Sequence, residues 1–202
     1  MMPSDLQVDN IKDGSATKTL AEYSSSAWSW GTGVPAGTIV QVKQAFKTDV
    51  FDTQSITFVD VPSMSVGITP KFSSSKILID VRLTLTSNYW VAHGRLMRDS
   101  TEIAKADTAG NRSTHFLDTC VEQTQAQGNG VQGVIGRTFL DSPTIPSTPI
   151  EITYKVQISN RKDDSSSSPA YQAHVNKSHA DRNTTAYDHR ATSSITVMEI
   201  AQ

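Results

Sequence analysis

The sequence holds a single cysteine, Cys120, among 202 residues. No disulfide can form within the chain, and synthesis in a reducing compartment fits that count. Long apolar runs are also missing. No stretch approaches the ~20 apolar residues of a membrane-spanning helix, so membrane insertion is not expected. The opening MMPSDLQVDN is polar from its third residue and lacks the apolar segment of a secretory signal. Sequons beginning at Asn111, Asn176 and Asn183 are therefore read as chance matches in a Ser/Thr-rich chain. Charge is sparse: charged residues make up 19%, below the level of about a quarter common in globular domains. The net charge is −2, with Lys and Arg scattered singly. Binding to a phosphate backbone needs concentrated basic residues, so no nucleic-acid partner is expected.

Chemical motifs are scarce too. The five histidines are His93, His115, His174, His179 and His189, and none forms a His-X-His pair. His174 and His179 lie five apart, which on one continuous strand puts them on opposite faces. No G-x-S-x-G elbow and no G-x-x-x-x-G-K phosphate loop occurs. His115 and Cys120 are near in sequence, but a buried structural thiol is the simpler reading. Asp49, Asp52, Asp60 and the pair Asp163-Asp164 are carboxylates of the kind glycan cleavage needs. The long repeats of β-helical depolymerases are absent. The expectation is a chain that is not an enzyme and carries no cofactor or metal.

What is present is rhythm. In VGITPKFSSSKILIDVRLTL, from Val66 to Leu85, the residues Ile77, Ile79, Val81, Leu83 and Leu85 alternate with Leu78, Asp80, Arg82 and Thr84. Side chains on a strand point to opposite faces with period two, so one face is apolar and the other mostly polar. Similar segments recur at 38–46, 55–61, 64–69, 89–98, 101–105, 114–122, 134–141, 150–159, 170–176 and 193–201. Pro, Gly, Ser and Asn punctuate them, with Pro62 between two short strands and a turn at Asp99-Ser100. No amphipathic helix emerges. The predicted fold is all-β: an antiparallel β-sandwich, in its preferred version a jelly roll. Alternation alone leaves an immunoglobulin-like sandwich open, although the Cys–Trp–Cys spacing of true immunoglobulin domains is absent.

Residues 1–36 read differently. Leu6, Val8 and Ile11 precede the turn signal Asp13-Gly14, and Tyr23, Trp28 and Trp30 follow among serines and glycines. Such a piece is too small to hold its own core. It is predicted to be a short extended N-terminal arm that attaches the chain to something else. The break at Gly33 to Gly37 sets the boundary, with a sandwich head over 37–202. Leu6, Val8, Ile11, Trp28 and Trp30 are the assembly candidates. Trp28 and Trp30 suit anchors on a neighbouring subunit or a mounting protein, the alternative being packing on their own domain. Tyr89, Trp90, Tyr171 and Tyr187 are candidates for surface recognition.

Three segments carry a family resemblance. They are Gly67-Ile68-Thr69-Pro70 through Ser73-Ser74-Ser75-Lys76-Ile77-Leu78-Ile79; Phe139-Leu140-Asp141-Ser142-Pro143 followed by Thr153-Tyr154-Lys155-Val156-Gln157; and Ala191-Thr192-Ser193-Ser194-Ile195-Thr196-Val197-Met198-Glu199-Ile200. In this order they resemble the C-terminal module of tail-fibre-like virion structural proteins of tailed bacteriophages. Leu6 through Gly14 is similar to their short leader. The resemblance spans most of residues 5 to 200. It implies a jelly-roll head of the tumour-necrosis-factor and complement type that forms a homotrimer on a virion appendage. The implied partners are sister copies, other virion proteins through the arm, and a host-surface glycan or protein at the apical loops 123–133 and 160–168, with 177–190 beside them. The implied location is the virion, tail or capsid surface, after synthesis in the host cytoplasm. Long fibres carry an extended shaft, and none is seen here. A stub fibre, an adaptor-mounted knob and a capsid decoration or cement protein are therefore all readings of the resemblance.

Overall fold

The computed structural model describes residues 10–12, 14, 18–24, 26–87, 91–108, 110–120, 132–161, 172–184 and 188–202. Among these residues there are fourteen strands and no helix. Leu6, Val8, Tyr89, Trp90, Tyr171 and Tyr187 lie outside them, as do Asp163 and Asp164 and most of the loops 123–133 and 160–168.

The arm is pleated into its own small sheet. β1 (Asn10–Lys12), β2 (Thr19–Ser24) and β3 (Ala27–Trp30) pair antiparallel with β2 in the centre. Trp28 and Trp30 sit in a strand and not in a linker, because Ser26 at φ 66° turns the chain back immediately before β3.

The remaining strands are β4 (Ile39–Lys47), β5 (Phe51–Thr53), β6 (Val59–Ile68), β7 (Lys76–Ser87), β8 (Val91–Arg98), β9 (Thr101–Ile103), β10 (Leu117–Cys120), β11 (Gln132–Asp141), β12 (Ile152–Arg161), β13 (Ala173–Val175) and β14 (Ser193–Ile200). Sheet 1 has six strands on four lines. β5 continues the line of β4, β13 continues that of β14, β7 pairs with both β13 and β14, and β11 closes the far edge. Sheet 2 also has four lines: β9 and β10 share one edge of β8, then come β8, β12 and β6. Counted along the chain, the first line pairs with the last, the second with the seventh, the third with the sixth and the fourth with the fifth. A jelly roll winds its strands in this way, and the fold is an antiparallel, jelly-roll-like β-sandwich.

The core lies where the alternation places it. Ile77, Ile79, Val81, Leu83 and Leu85 of β7 are fully buried, against Leu96, Tyr154, Val156 and Ile158 of sheet 2 and Ile195 and Val197 of β14. Each such side chain contributes about 1.5–3 kcal/mol by leaving water. Pro62 does not divide two strands. β6 runs through it, because β6 is an edge strand and needs no amide hydrogen there. A register irregularity opposite, between Lys155 and Gln157, and Ser63 at φ 62° absorb the three extra residues of β6.

Two buried polar knots tie the periphery to this core. Glu199 Oε1 accepts hydrogen bonds from Lys71 N (2.7 Å), Phe72 N (3.2 Å) and Ser75 Oγ (2.6 Å), and Oε2 accepts from Gln41 Nε2 (2.7 Å). This fixes the Ser-rich turn that precedes β7. On the other side, Asp141 accepts two hydrogen bonds from Arg98 (2.8 and 2.9 Å) and one from the Tyr154 hydroxyl (2.7 Å).

The sandwich has two distinguishable ends. Ser87 stands opposite Ala173, Gln132 opposite Thr86, and Val91 opposite both Cys120 and Arg161. The connections across 88–90, 121–131 and 162–172 therefore all leave from one end, here termed the loop end. At the other end Lys76, Ile200 and Ile39 align, and Gly37 N donates to Ala201 O at 2.8 Å. The arm joins there, at what is termed the arm end.

Candidate functional site

The arm sheet has one apolar face. Ile11 stands opposite Ala21, Ala21 opposite Trp30, and Tyr23 opposite Trp28. Opposed residues of an antiparallel ladder share a face, so these five side chains lie together. Tyr23 and Trp28 touch as a tilted pair with ring centroids 5.7 Å apart. Ile11, Tyr23, Trp28 and Trp30 are each 45–50% exposed. A cleft of about 660 Å³ is lined by Ile11, Ala21, Trp28, Ser29 and Trp30 of the arm and by Lys71 of the sandwich. The chain returns tightly beneath: Gly31 N donates to Leu20 O (2.9 Å) and Gly33 N to Thr19 O (2.8 Å). A Cβ on Gly31 would stand 2.1 Å from Thr19 O, so only glycine permits this approach. Of the assembly candidates, the structure thus joins Ile11, Trp28 and Trp30, and adds Ala21 and Tyr23.

The second surface was not singled out from the sequence. On the outer face of sheet 1, Leu140 stands opposite Leu78, Leu78 opposite Met198, and Met198 opposite Val42. This apolar row crosses the whole sheet. Ile200 and Ile39 extend it toward the arm end. Val42 and Leu140, at the two edges, are 53% and 46% exposed. The signal was Leu78, which interrupts the otherwise polar side of β7, and Met198, which does the same in β14.

Toward the loop end the centre of the same outer face is covered, while Phe46 and Val134 at its two edges stay 58% and 67% exposed. Between Val175 and Ser193 the chain leaves the sheet and folds back over it. Thr84 and Thr86 point outward yet are buried, donating to Thr192 O (3.1 Å) and Lys177 O (3.0 Å). Beneath this excursion His174 Nδ1 is 2.8 Å from Asp52 Oδ1, Lys177 Nζ donates to Asp52 Oδ2 at 2.7 Å, and His179 Nδ1 is 3.5 Å from His174 Nε2. Burial holds the His174 imidazole below the ordinary histidine range, and its hydrogen bond to Asp52 opposes this only in part. Burial lowers His179 as well, reinforced by the field of His174 and Lys177. For Asp52, burial works to raise the carboxyl, but the hydrogen bonds from Lys177 and His174 outweigh it and leave it below the usual range. The result is a carboxylate held by an ammonium and a neutral imidazole. Further along, Asp188 accepts from Ser178 Oγ (2.8 Å), Arg182 N (2.9 Å) and Thr184 Oγ1 (3.2 Å). The hydrogen bond from Ser178 leads in holding its carboxyl below the usual range.

Of the other carboxylates considered for chemistry, Asp49 and Asp60 have cationic partners. Asp49 pairs with the fully buried Lys47 at 2.8 Å, and Asp60 with Lys155 at 2.9 Å. His93 and His115 stack with centroids 4.0 Å apart, His115 lies 5.4 Å from Phe58, and Arg95 sits 4.3 Å over the Phe58 ring. This stack belongs to the side of sheet 2. Among the described residues, no group of three or more His, Cys, Asp or Glu is placed to hold a metal ion.

No protein-family model matches the chain, and no curated protein does. Among solved structures, a chain from the "Structure of infectious bursal disease virus Gx strain" is similar at 14% identity and a TM-score of 0.25, over 80% of this chain and 42% of that one. This chain thus spans less than half the length of that neighbour.

Proposed function

We propose that this chain is a non-enzymatic structural protein of a tailed-bacteriophage virion, a short trimeric tail-fibre or appendage head. The arm mounts it on the particle through Ile11, Trp28 and Trp30. The loop end faces outward and meets a host-surface glycan or protein, with Tyr89, Trp90, Tyr171 and Tyr187 as contact candidates. The observation that carries this reading is polarity: an arm with an uncovered aromatic face joins one end of a jelly roll, and three connections emerge together at the other. The resemblance of three sequence segments and the leader to tail-fibre-like proteins supports the virion assignment. Trimerisation adds a physical benefit, since weak loop contacts multiply when three copies engage at once.

The test is placement on the particle. Gold-labelled antibody against the head is expected to mark the tail of intact virions, and a chain lacking residues 1–30 is expected to fold but stay off the particle. Label spread over the shell would replace the appendage reading with a capsid decoration or cement protein. Absence from purified particles would refute both.

A further inference from the structure

We infer that the apolar face of the arm sheet in one copy packs on the uncovered, arm-end half of the outer face of sheet 1 in the next copy. This rests on the self-assembly proposed above and names the surfaces that carry it.

Among the described residues two apolar sheet surfaces stand out. One is Ile11, Ala21, Tyr23, Trp28 and Trp30 on the arm. The other is the row Leu140, Leu78, Met198 and Val42, with Ile39 beside it. A three-stranded sheet needs a partner layer to persist in water, and sheets stack face to face through apolar side chains. Both outer faces carry ion pairs, Asp80 with Arg82 on sheet 1 among them, but among the described residues the outer face of sheet 2 has no such apolar row. It carries Lys155 paired with Asp60, Arg95 with Glu102, and Gln157 hydrogen-bonded to both Arg95 and Asp60. The loop-end half of the outer face of sheet 1 is covered at its centre by the excursion after Val175, leaving Phe46 and Val134 exposed singly at opposite edges. Among the described residues, the arm-end half carries the continuous apolar row. The arm's own sandwich does not receive it, because its aromatic side chains stay about half exposed.

Height selects a sister copy. In a ring whose axis runs along β7 each feature keeps its level, so the arm, which joins at the arm end, reaches the arm-end half of the next copy. The contact is heterologous and closes as a ring. Area agrees as well. Half-exposed side chains of this size leave about 100 Å² each, so the four on the arm face offer roughly 400 Å² of apolar surface. With the polar rim usual for interfaces, which raises the total to about 700 Å² a side, the contact falls within the standard range of about 1,200–2,000 Å² in all.

The experiment uses the full chain with Trp90→Phe, so that of its three tryptophans only Trp28 and Trp30 report. Acrylamide quenching of their fluorescence and the mass in solution are read together, with the β spectrum as the folding control. The parent is expected to be an oligomer with shielded tryptophans. Val42→Asp/Leu140→Asp, which alters only the sandwich, is expected to expose the tryptophans and dissociate the assembly. If that variant does not fold, the single Leu140→Lys on the edge strand is expected to do the same. An oligomer whose tryptophans stay shielded in the folded face variant overturns this inference and leaves self-assembly standing. A monomeric parent with exposed tryptophans overturns both.

Discussion

Ser193 Oγ donates a 2.6 Å hydrogen bond to the side-chain oxygen of Asn176, closing the neck of the excursion between β13 and β14. The same Asn176, fully buried and at φ 64°, donates through Nδ2 to Lys47 O (3.0 Å) and Asp49 O (2.9 Å). Ser193 Oγ in turn accepts from Thr84 N at 3.0 Å. One asparagine thereby holds β7, the β4–β5 joint and both halves of the last line in place. Asn tolerates the left-handed region better than most residues, and its amide supplies donor and acceptor at once. Asn176→Asp keeps the shape but faces two carbonyls without a donor. It is expected to cost about 2–4 kcal/mol, the sum of lost bonds and unpaired buried acceptors, read as a lower midpoint in urea unfolding.

The burial of His174, which its hydrogen bond to Asp52 offsets only in part, makes stability depend on pH in a defined direction. Folding lowers the imidazole from its ordinary value of 6.5. The unfolded chain therefore takes up the proton first as pH falls. The stabilising contribution is complete above 6.5 and is lost as pH drops from there through the folded value. His179, lowered in the same sense, adds to the loss. Asp52, lowered from 3.8, contributes only in a more acidic window. The expected result is a melting temperature that falls from pH 7 to 5, with a shallower slope in His174→Gln.

Arg98 and Tyr154 share the buried Asp141 carboxylate. Tyr154→Phe removes one neutral donor and is expected to cost about 1–2 kcal/mol. Arg98→Ala leaves a carboxylate of 7% side-chain exposure without its cation and is expected to cost about 3–5 kcal/mol. Urea titrations of the two variants test this order, and equal losses would contradict it.

Gly31→Ala should separate arm from sandwich. The new methyl meets Thr19 O and must push β3 away from β2. Near-ultraviolet circular dichroism from the Tyr23–Trp28 pair is expected to weaken, while the main thermal transition of the sandwich holds its midpoint. A lost main transition would show that the arm and the sandwich fold as one unit.

The alternation of β7, β12 and β14 is written plainly in the chain, and it suffices for a two-layer β fold with its core side chains. The hidden features depend on pairing. Ala173–Val175 falls within the strand expected at 170–176, but Phe51–Thr53 is too short to announce itself and becomes a strand because it finds Ala173–Val175, which in turn pairs with the end of β7. Pro62 reads as a break until β6 is known to be an edge. Nothing in the local sequence marks Lys47 and Glu199 as core residues, yet both are fully buried, one against Asp49 and the other inside a turn. The arm's tryptophans were visible as candidates, but their union with Ile11 on one face needed the register. The apolar row on sheet 1 joins residues from four strands far apart in sequence, so only the register assembles it.

The central claim is that these two uncovered faces exist to be covered by sister copies. The mass of the purified full chain in solution, measured by light scattering at micromolar concentration, addresses it most directly. Three times the 22.0 kDa of one chain is the expected value. A stable species at the mass of a single chain would contradict it.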